Sequence, residues 1–251
     1  MKRFVPLLII IVLLVAACSS NKEDSKKVEK KDDYLDFKKA LTKEGNISFV
    51  LSDVTGEITK KSIVKAIVLR KDGKEIVYRA NNDENEGVPL KNYDGKTDEE
   101  IIKAAKKNEK FIITDQIKYV QEKAKKQYES DKREHIKELL ESAENLKYEE
   151  AKPRKLVYKA SKEDGESYIY ANFVPMYLKE VENPEIEGGG VYKIKDGAED
   201  VYYFDKPTKM LSLEKDNYIG FEGETNDDYY AVVTKAPKKT EGVTSGLKEV
   251  E

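Results

Sequence analysis

Three features of the sequence predict an α+β fold. Apolar residues recur every three or four positions in the middle of the chain and alternate beyond Pro153. Asp-Gly pairs separate short runs rich in Val, Ile and Tyr, as at hairpin turns. The helical and strand-like stretches occupy different parts of the chain, which distinguishes α+β from alternating α/β. The organisation expected is an apolar leader at 1–17, a polar tether at 18–33, a small N-terminal α/β unit at 34–96, a helical segment at 97–150, an antiparallel Tyr-rich β domain at 151–236 and a loose tail at 237–251.

Each element has a local reason. Asn21 to Asp33 is polar apart from Val28 and cannot bury enough apolar surface to fold. Tyr34, Phe37 and Leu41 are spaced for a helix that Gly45-Asn46 ends. Ile47 to Leu51 reads as a strand, and Ile63–Leu69 and Glu75–Arg79 flank Asp72-Gly73 as a hairpin. Asn81 to Lys96, with Gly87, Pro89 and Gly95, reads as an exposed loop. Thr97-Asp98-Glu99-Glu100 fits a capping box that opens a short helix through Lys107. A second, longer helix is expected over Thr114–Leu146, with Ile117, Val120, Ala124, Leu139 and Ala143 on its apolar face. The wholly polar run Glu129–Glu134 is a point where it breaks or projects.

Further on, three hairpins are expected. The first joins 156–158 to 168–170 through Asp164-Gly165, and the second joins 191–194 to 201–204 through Asp196-Gly197. The third joins 218–221 to 229–233 through a polar turn, and Lys235 onward reads as loose.

The first residues carry the most specific signal. Lys2 and Arg3 precede an unbroken apolar run from Phe4 to Ala17, and Cys18 follows Leu14-Val15-Ala16-Ala17. This stretch resembles the lipobox of bacterial lipoproteins. The resemblance implies a signal peptide cut between Ala17 and Cys18, with Cys18 modified by a diacylglyceryl group. Two acyl chains anchor a protein stably where one does not, whereas the leader is too short to span a bilayer, which needs about 20 residues. The expected address is the outer face of the cell membrane, with the membrane itself the first partner. Cys18 is the one cysteine, so its lipidation leaves no thiol for a disulfide, a nucleophile or a metal.

Charge narrows the function classes. Without residues 1–17 the chain holds 44 basic and 49 acidic groups, a formal charge of −5. The signs are mixed along the sequence and no basic patch is evident, which argues against a nucleic-acid partner. The 16 tyrosines against seven phenylalanines suit half-buried sheet faces and wet interfaces.

No catalytic constellation emerges. His135 stands alone in a charged stretch and supports no triad. Carboxylate pairs such as Asp32-Asp33 and Glu149-Glu150 are adjacent, whereas glycoside hydrolysis needs two opposed acids in a cleft. Asp83 to Gly87 lacks the spacing of a calcium loop, and Asn226-Asp227-Asp228 is equally generic. Gly188-Gly189-Gly190 has no phosphate-loop context and reads as a bend. No metal or other cofactor is expected. Tyr202, Tyr203, Tyr229 and Tyr230 are the candidate binding surface, because alternation turns one ring of each pair outward.

The function these features favour is a non-enzymatic, lipid-anchored surface protein acting on a protein or the cell wall. One alternative is a substrate-binding lipoprotein of a transporter, which would bring alternating βα units and a two-lobed cleft. The other is an enzyme, whose mark would be buried carboxylates with raised pKa values in a pocket.

Overall fold

A computed structural model describes residues 34–53, 56–80, 87–163, 166–183, 190–196, 202–224 and 229–245. The leader, Ala17, Cys18 and the tether lie outside these residues, as do 83–86, the turn at 164–165, Gly188-Gly189 and 226–228.

Strand β1 (Tyr34–Asp36) leads into helix α1 (Phe37–Thr42). The Asp36 carboxylate accepts the Lys39 N–H at 2.9 Å, so the helix starts at Phe37 and leaves Tyr34 extended. Strands β2 (Ile47–Asp53), β3 (Ile63–Lys71) and β4 (Lys74–Arg79) follow as an antiparallel meander. The β3–β4 turn has positive φ at both Asp72 (52°) and Gly73 (70°), which is what its Asp-Gly pair supplies.

The stretch expected as an exposed loop is partly core. Strand β5 (Val88–Pro89) pairs with β3, and a 3₁₀ turn at Leu90–Tyr93 buries both Leu90 and Tyr93 completely. Its glycines and proline shape a cover for the sheet.

Helix α2 (Asp98–Ser130) is one continuous helix of 33 residues, where a short and a long helix were expected. Asn108 to Ile113 contains no Gly or Pro, and Glu109, Ile112 and Ile113 are buried, so nothing interrupts it. The capping box forms: Glu100 N–H donates to Thr97 Oγ1 at 3.3 Å, and Thr97 N–H donates to Glu100 Oε2 at 2.8 Å. The expected break falls at 131–133, before α3 (Glu134–Glu144).

The remaining strands are β6 (Tyr158–Glu163), β7 (Glu166–Ala171), β8 (Tyr177–Glu182), β9 (Gly190–Lys195), β10 (Tyr202–Phe204), β11 (Lys206–Pro207), β12 (Leu211–Ser212), β13 (Asn217–Glu224), β14 (Tyr229–Ala236) and β15 (Gly242–Thr244). The main sheet runs β11-β13-β14-β2-β3-β4, with β12 beside β13 and β5 beside β3. Strands from the segments 34–96 and 151–236 therefore share one sheet, through the antiparallel β14–β2 pairing. Strand β15, within the stretch expected as a loose tail, pairs in parallel with β1.

The expected β9–β10 hairpin does not form. β9 pairs with β8, while β10 pairs with β7 beside β6. Apolar faces decide this: Leu178 opposite Ile194 covers the helices, and Phe204 opposite Ile169 joins the core below the main sheet. That burial outweighs the turn preference of Asp196-Gly197, the second of which lies outside the described residues.

The fold is α+β. The central strands are buried on both faces. One face carries Phe49, Leu51 and Ile67 against Leu90, Tyr93 and the start of α2; the other carries Val50, Val68 and Val232 against α1, Phe173 and Phe204. Beyond Ala105, α2 leaves this core and packs Ile113, Ile117, Val120 and Ala124 against α3 and the β8–β9 pair.

Candidate functional site

The second, smaller core creates a groove. Tyr192 and Ile194 point toward α2 and α3, and the Tyr192 N–H donates to Ser142 Oγ at 3.1 Å. Backbone groups in an antiparallel pair alternate between the two edges. Gly190, Tyr192 and Ile194 therefore turn theirs away from β8 and toward the end of α3. Between this edge and the helix lies a hollow of about 720 Å³. Leu146, Tyr192 and Ile194 give it an apolar floor; Asn145, Asn183, Glu182 and Lys193 give it a polar rim. It continues through Asn145, Leu146 and Ile194 into a second hollow of about 390 Å³ that ends at Met176, Lys152 and Asp196.

Two charged groups, one half-buried and one buried, hold this region to the main sheet. Arg154 is a hub: its Nε donates to Glu75 Oε1 at 3.1 Å, its Nη2 to the carbonyls of Asn172 and Val174 at 3.1 and 2.9 Å, and its Nη1 to Asp196 at 3.3 Å. Asp196 is thereby fixed at the end of the groove. Glu109 of α2 is fully buried and accepts the N–H groups of Arg79 (3.1 Å) and Ala151 (3.3 Å) and the Tyr148 hydroxyl (3.3 Å). That carboxylate joins α2 to β4 and to the segment leading out of the helices.

Burial dominates the protonation of both acids. It pushes the Glu75 carboxyl up to about 7, against the opposing pull of Arg154 and Arg70. Glu109 is also raised by burial, and its three donors pull the other way. Raised carboxylates are the mark set above for an enzyme, but these two are enclosed. Glu75 is 0 % exposed, and the hollow beside it, shared with Arg70, Asn46 and Ser48, is about 10 Å³, the room of a single water molecule. Their geometry is that of clamps.

The residues singled out from sequence are placed as follows. Tyr230 is a core residue, 5 % exposed, and its hydroxyl donates to the Tyr203 carbonyl at 2.7 Å, which corrects its assignment to a binding surface. Tyr202 is half-buried, with its ring 5.3 Å from that of Tyr230 and 6.0 Å from that of Phe204. Tyr203 is half-buried edge-on to Tyr170, and Tyr229 packs on the edge of the main core. Sheet packing accounts for all four rings. His135 is half-buried on α3, Glu149 pairs with Lys152, and Glu150 pairs with Lys106. Among the described residues no three His, Asp or Glu side chains gather as for a metal, and no helix is long and apolar enough to cross a membrane.

The groove was hidden in the sequence because the Asp196-Gly197 signal assigned the wrong partner to β9. Polar Ser142 and Asn145 beside Leu146, at the end of an amphipathic helix, were the available hint. Compared with family models, curated proteins and solved structures, the chain matches none.

Proposed function

We propose that this is a lipid-anchored, extracytoplasmic surface protein, not an enzyme, that grips an extended segment of an envelope partner along the outer edge of β9. The observation that carries this reading is the conjunction of the outward-turned Ile194 backbone groups and Tyr192 carbonyl, beside a Tyr192 N–H already held by Ser142, with an apolar floor and a polar rim. An added strand uses such an edge for main-chain hydrogen bonds and takes specificity from side-chain pockets beside it. Anchoring rests on the lipobox ending in Cys18, which lies outside the described residues. The described strands pair antiparallel except for β1 with β15, which favours this reading over a transporter receptor built of βα units. The enclosure of Glu75 and Glu109 favours it over an acid-based enzyme.

Two measurements test the two halves. Cys18→Ser should abolish radiolabelled palmitate incorporation and release the protein from the membrane fraction; unchanged labelling removes the anchor. Ile194→Pro deletes an outward N–H that β8 does not use, a change an edge strand tolerates. Binding to envelope proteins and wall polymers should be lost in that variant and kept in Ile194→Ala, which gives up the same packing beside Leu178 but keeps the N–H. Equal binding removes the groove, and reproducible turnover of any substrate removes the non-enzymatic reading.

A further inference from the structure

The backbone edge of the groove is short and its free groups come in a fixed order. Ser142 Oγ takes the Tyr192 N–H, so an added strand finds the Tyr192 carbonyl, the Ile194 N–H and the Ile194 carbonyl. An antiparallel strand sets one of its residues opposite each outward residue and exchanges both bonds with it. Opposite Tyr192 the carbonyl of such a strand would meet no donor, because Ser142 already holds that N–H. A parallel strand is staggered instead. One of its residues donates to the Tyr192 carbonyl and accepts from the Ile194 N–H, and the residue two further on donates to the Ile194 carbonyl. All three groups are then used. Continued backward, the parallel strand would also need the Tyr192 N–H, so it begins beside Ser142.

The surface at that starting point is acidic. Glu182 and Lys193 are the charged residues that line the first hollow. Glu182 lies opposite Gly190 and so shares the face of Tyr192 and Ile194, whereas Lys193, opposite Lys179, turns from the floor toward the other face. The Glu180 carboxylate also reaches over Gly190, 2.7 Å from where a Cβ would stand. Neither Glu180 nor Glu182 makes an ion pair among the described residues. At the far end the acids are already matched: Glu149 with Lys152, Glu150 with Lys106 and Asp196 with Arg154.

We infer that the occupant of the groove is the free amino terminus of an exported protein, laid parallel to β9 with its ammonium beside Glu180 and Glu182. The inference rests on the reading that the groove takes an extended segment. A terminus has no preceding residue to steer around Ser142, and its ammonium supplies the charge the two acids call for. From Tyr192 to Asp196 the edge runs about 13 Å, the length of five residues.

Three pools of random uncharged pentapeptide amides, offered to the full lipidated protein in detergent micelles, test this. One has a free amine, one is N-acetylated, and one is N-acetylated with a final lysine that puts the same charge at the other end. The free-amine pool should be retained about fivefold better than either acetylated pool, as expected for one charged contact at an exposed carboxylate. Glu180→Gln with Glu182→Gln should remove that advantage and leave retention of the acetylated pools unchanged. A benzoylphenylalanine as first residue should crosslink to residues 142–145 and 182–183, and as last residue to 147–152. Equal retention of free and acetylated pools overturns the inference and leaves the groove in place. So does a lysine-ended pool retained as well as the free amine, or a reversed crosslink map. Retention of no pool, or undiminished retention by Ile194→Pro, removes the groove and the inference with it.

Discussion

Glu75→Gln reports directly on whether burial or its arginine partner controls the hub beside the groove. The carboxyl is fully enclosed, and Arg154 contacts Oε1 at 3.1 Å. The structure raises its pKa from an ordinary value of 4.5 to about 7, with burial outweighing the attraction of Arg154 and Arg70. An acid whose folded pKa is raised contributes stability that is fully present below pH 4.5 and is lost as pH climbs through about 7. At about 1.4 kcal/mol per pH unit, the loss is on the order of 3 kcal/mol. Glutamine keeps the shape and the acceptor and removes the titration. Urea unfolding of both proteins from pH 4.5 to pH 8 isolates the effect, because Glu109, raised in the same direction, is present in each. The variant should gain about 3 kcal/mol on the parent across that range. A difference that stays constant, or that moves toward the parent as pH rises, would show that the Arg154 ion pair outweighs burial and refute the reasoning.

Other substitutions test other parts of the framework. Ser142→Ala removes the acceptor of the Tyr192 N–H, so stability should fall by about 1 kcal/mol and hydrogen exchange at that amide should quicken. A Cβ at Gly220 would sit 1.8 Å from the Val232 carbonyl oxygen in the neighbouring strand. Gly220→Ala should therefore separate β13 from β14 and cost at least about 3 kcal/mol, seen as a large drop in melting temperature. Thr97→Ala breaks the capping box of α2 and should cost about 1 kcal/mol in thermal unfolding.

What the sequence revealed was set by local chemistry. Asp72-Gly73 dictates its own turn, and Thr97 with Glu100 dictates the start of α2, so both were readable in isolation. The strands of the main sheet were readable as runs, but the β14–β2 pairing that joins them links residues far apart in the chain and has no local signature. Leu90 and Tyr93 sat among turn-forming residues, and only the sheet beneath them makes that segment core. β9 was given the partner its Asp-Gly signal suggested, and the match of Leu178 with Ile194 prevailed. Tyr230 was assigned to the surface by alternation alone; β14 is covered on both faces, so alternation there separates two cores and not core from solvent.

Site-specific photocrosslinking in intact cells addresses the groove most directly. A benzoylphenylalanine replaces Lys193, exposed on the groove rim, or Lys39 of α1, which packs on the opposite face of the main sheet. From Lys193 the account predicts adducts that map by mass spectrometry to one contiguous, extended stretch of a single envelope partner, abolished by Ile194→Pro; from Lys39 it predicts none of these. Adducts equally abundant from both positions, or from Lys193 but indifferent to Ile194→Pro, would contradict it.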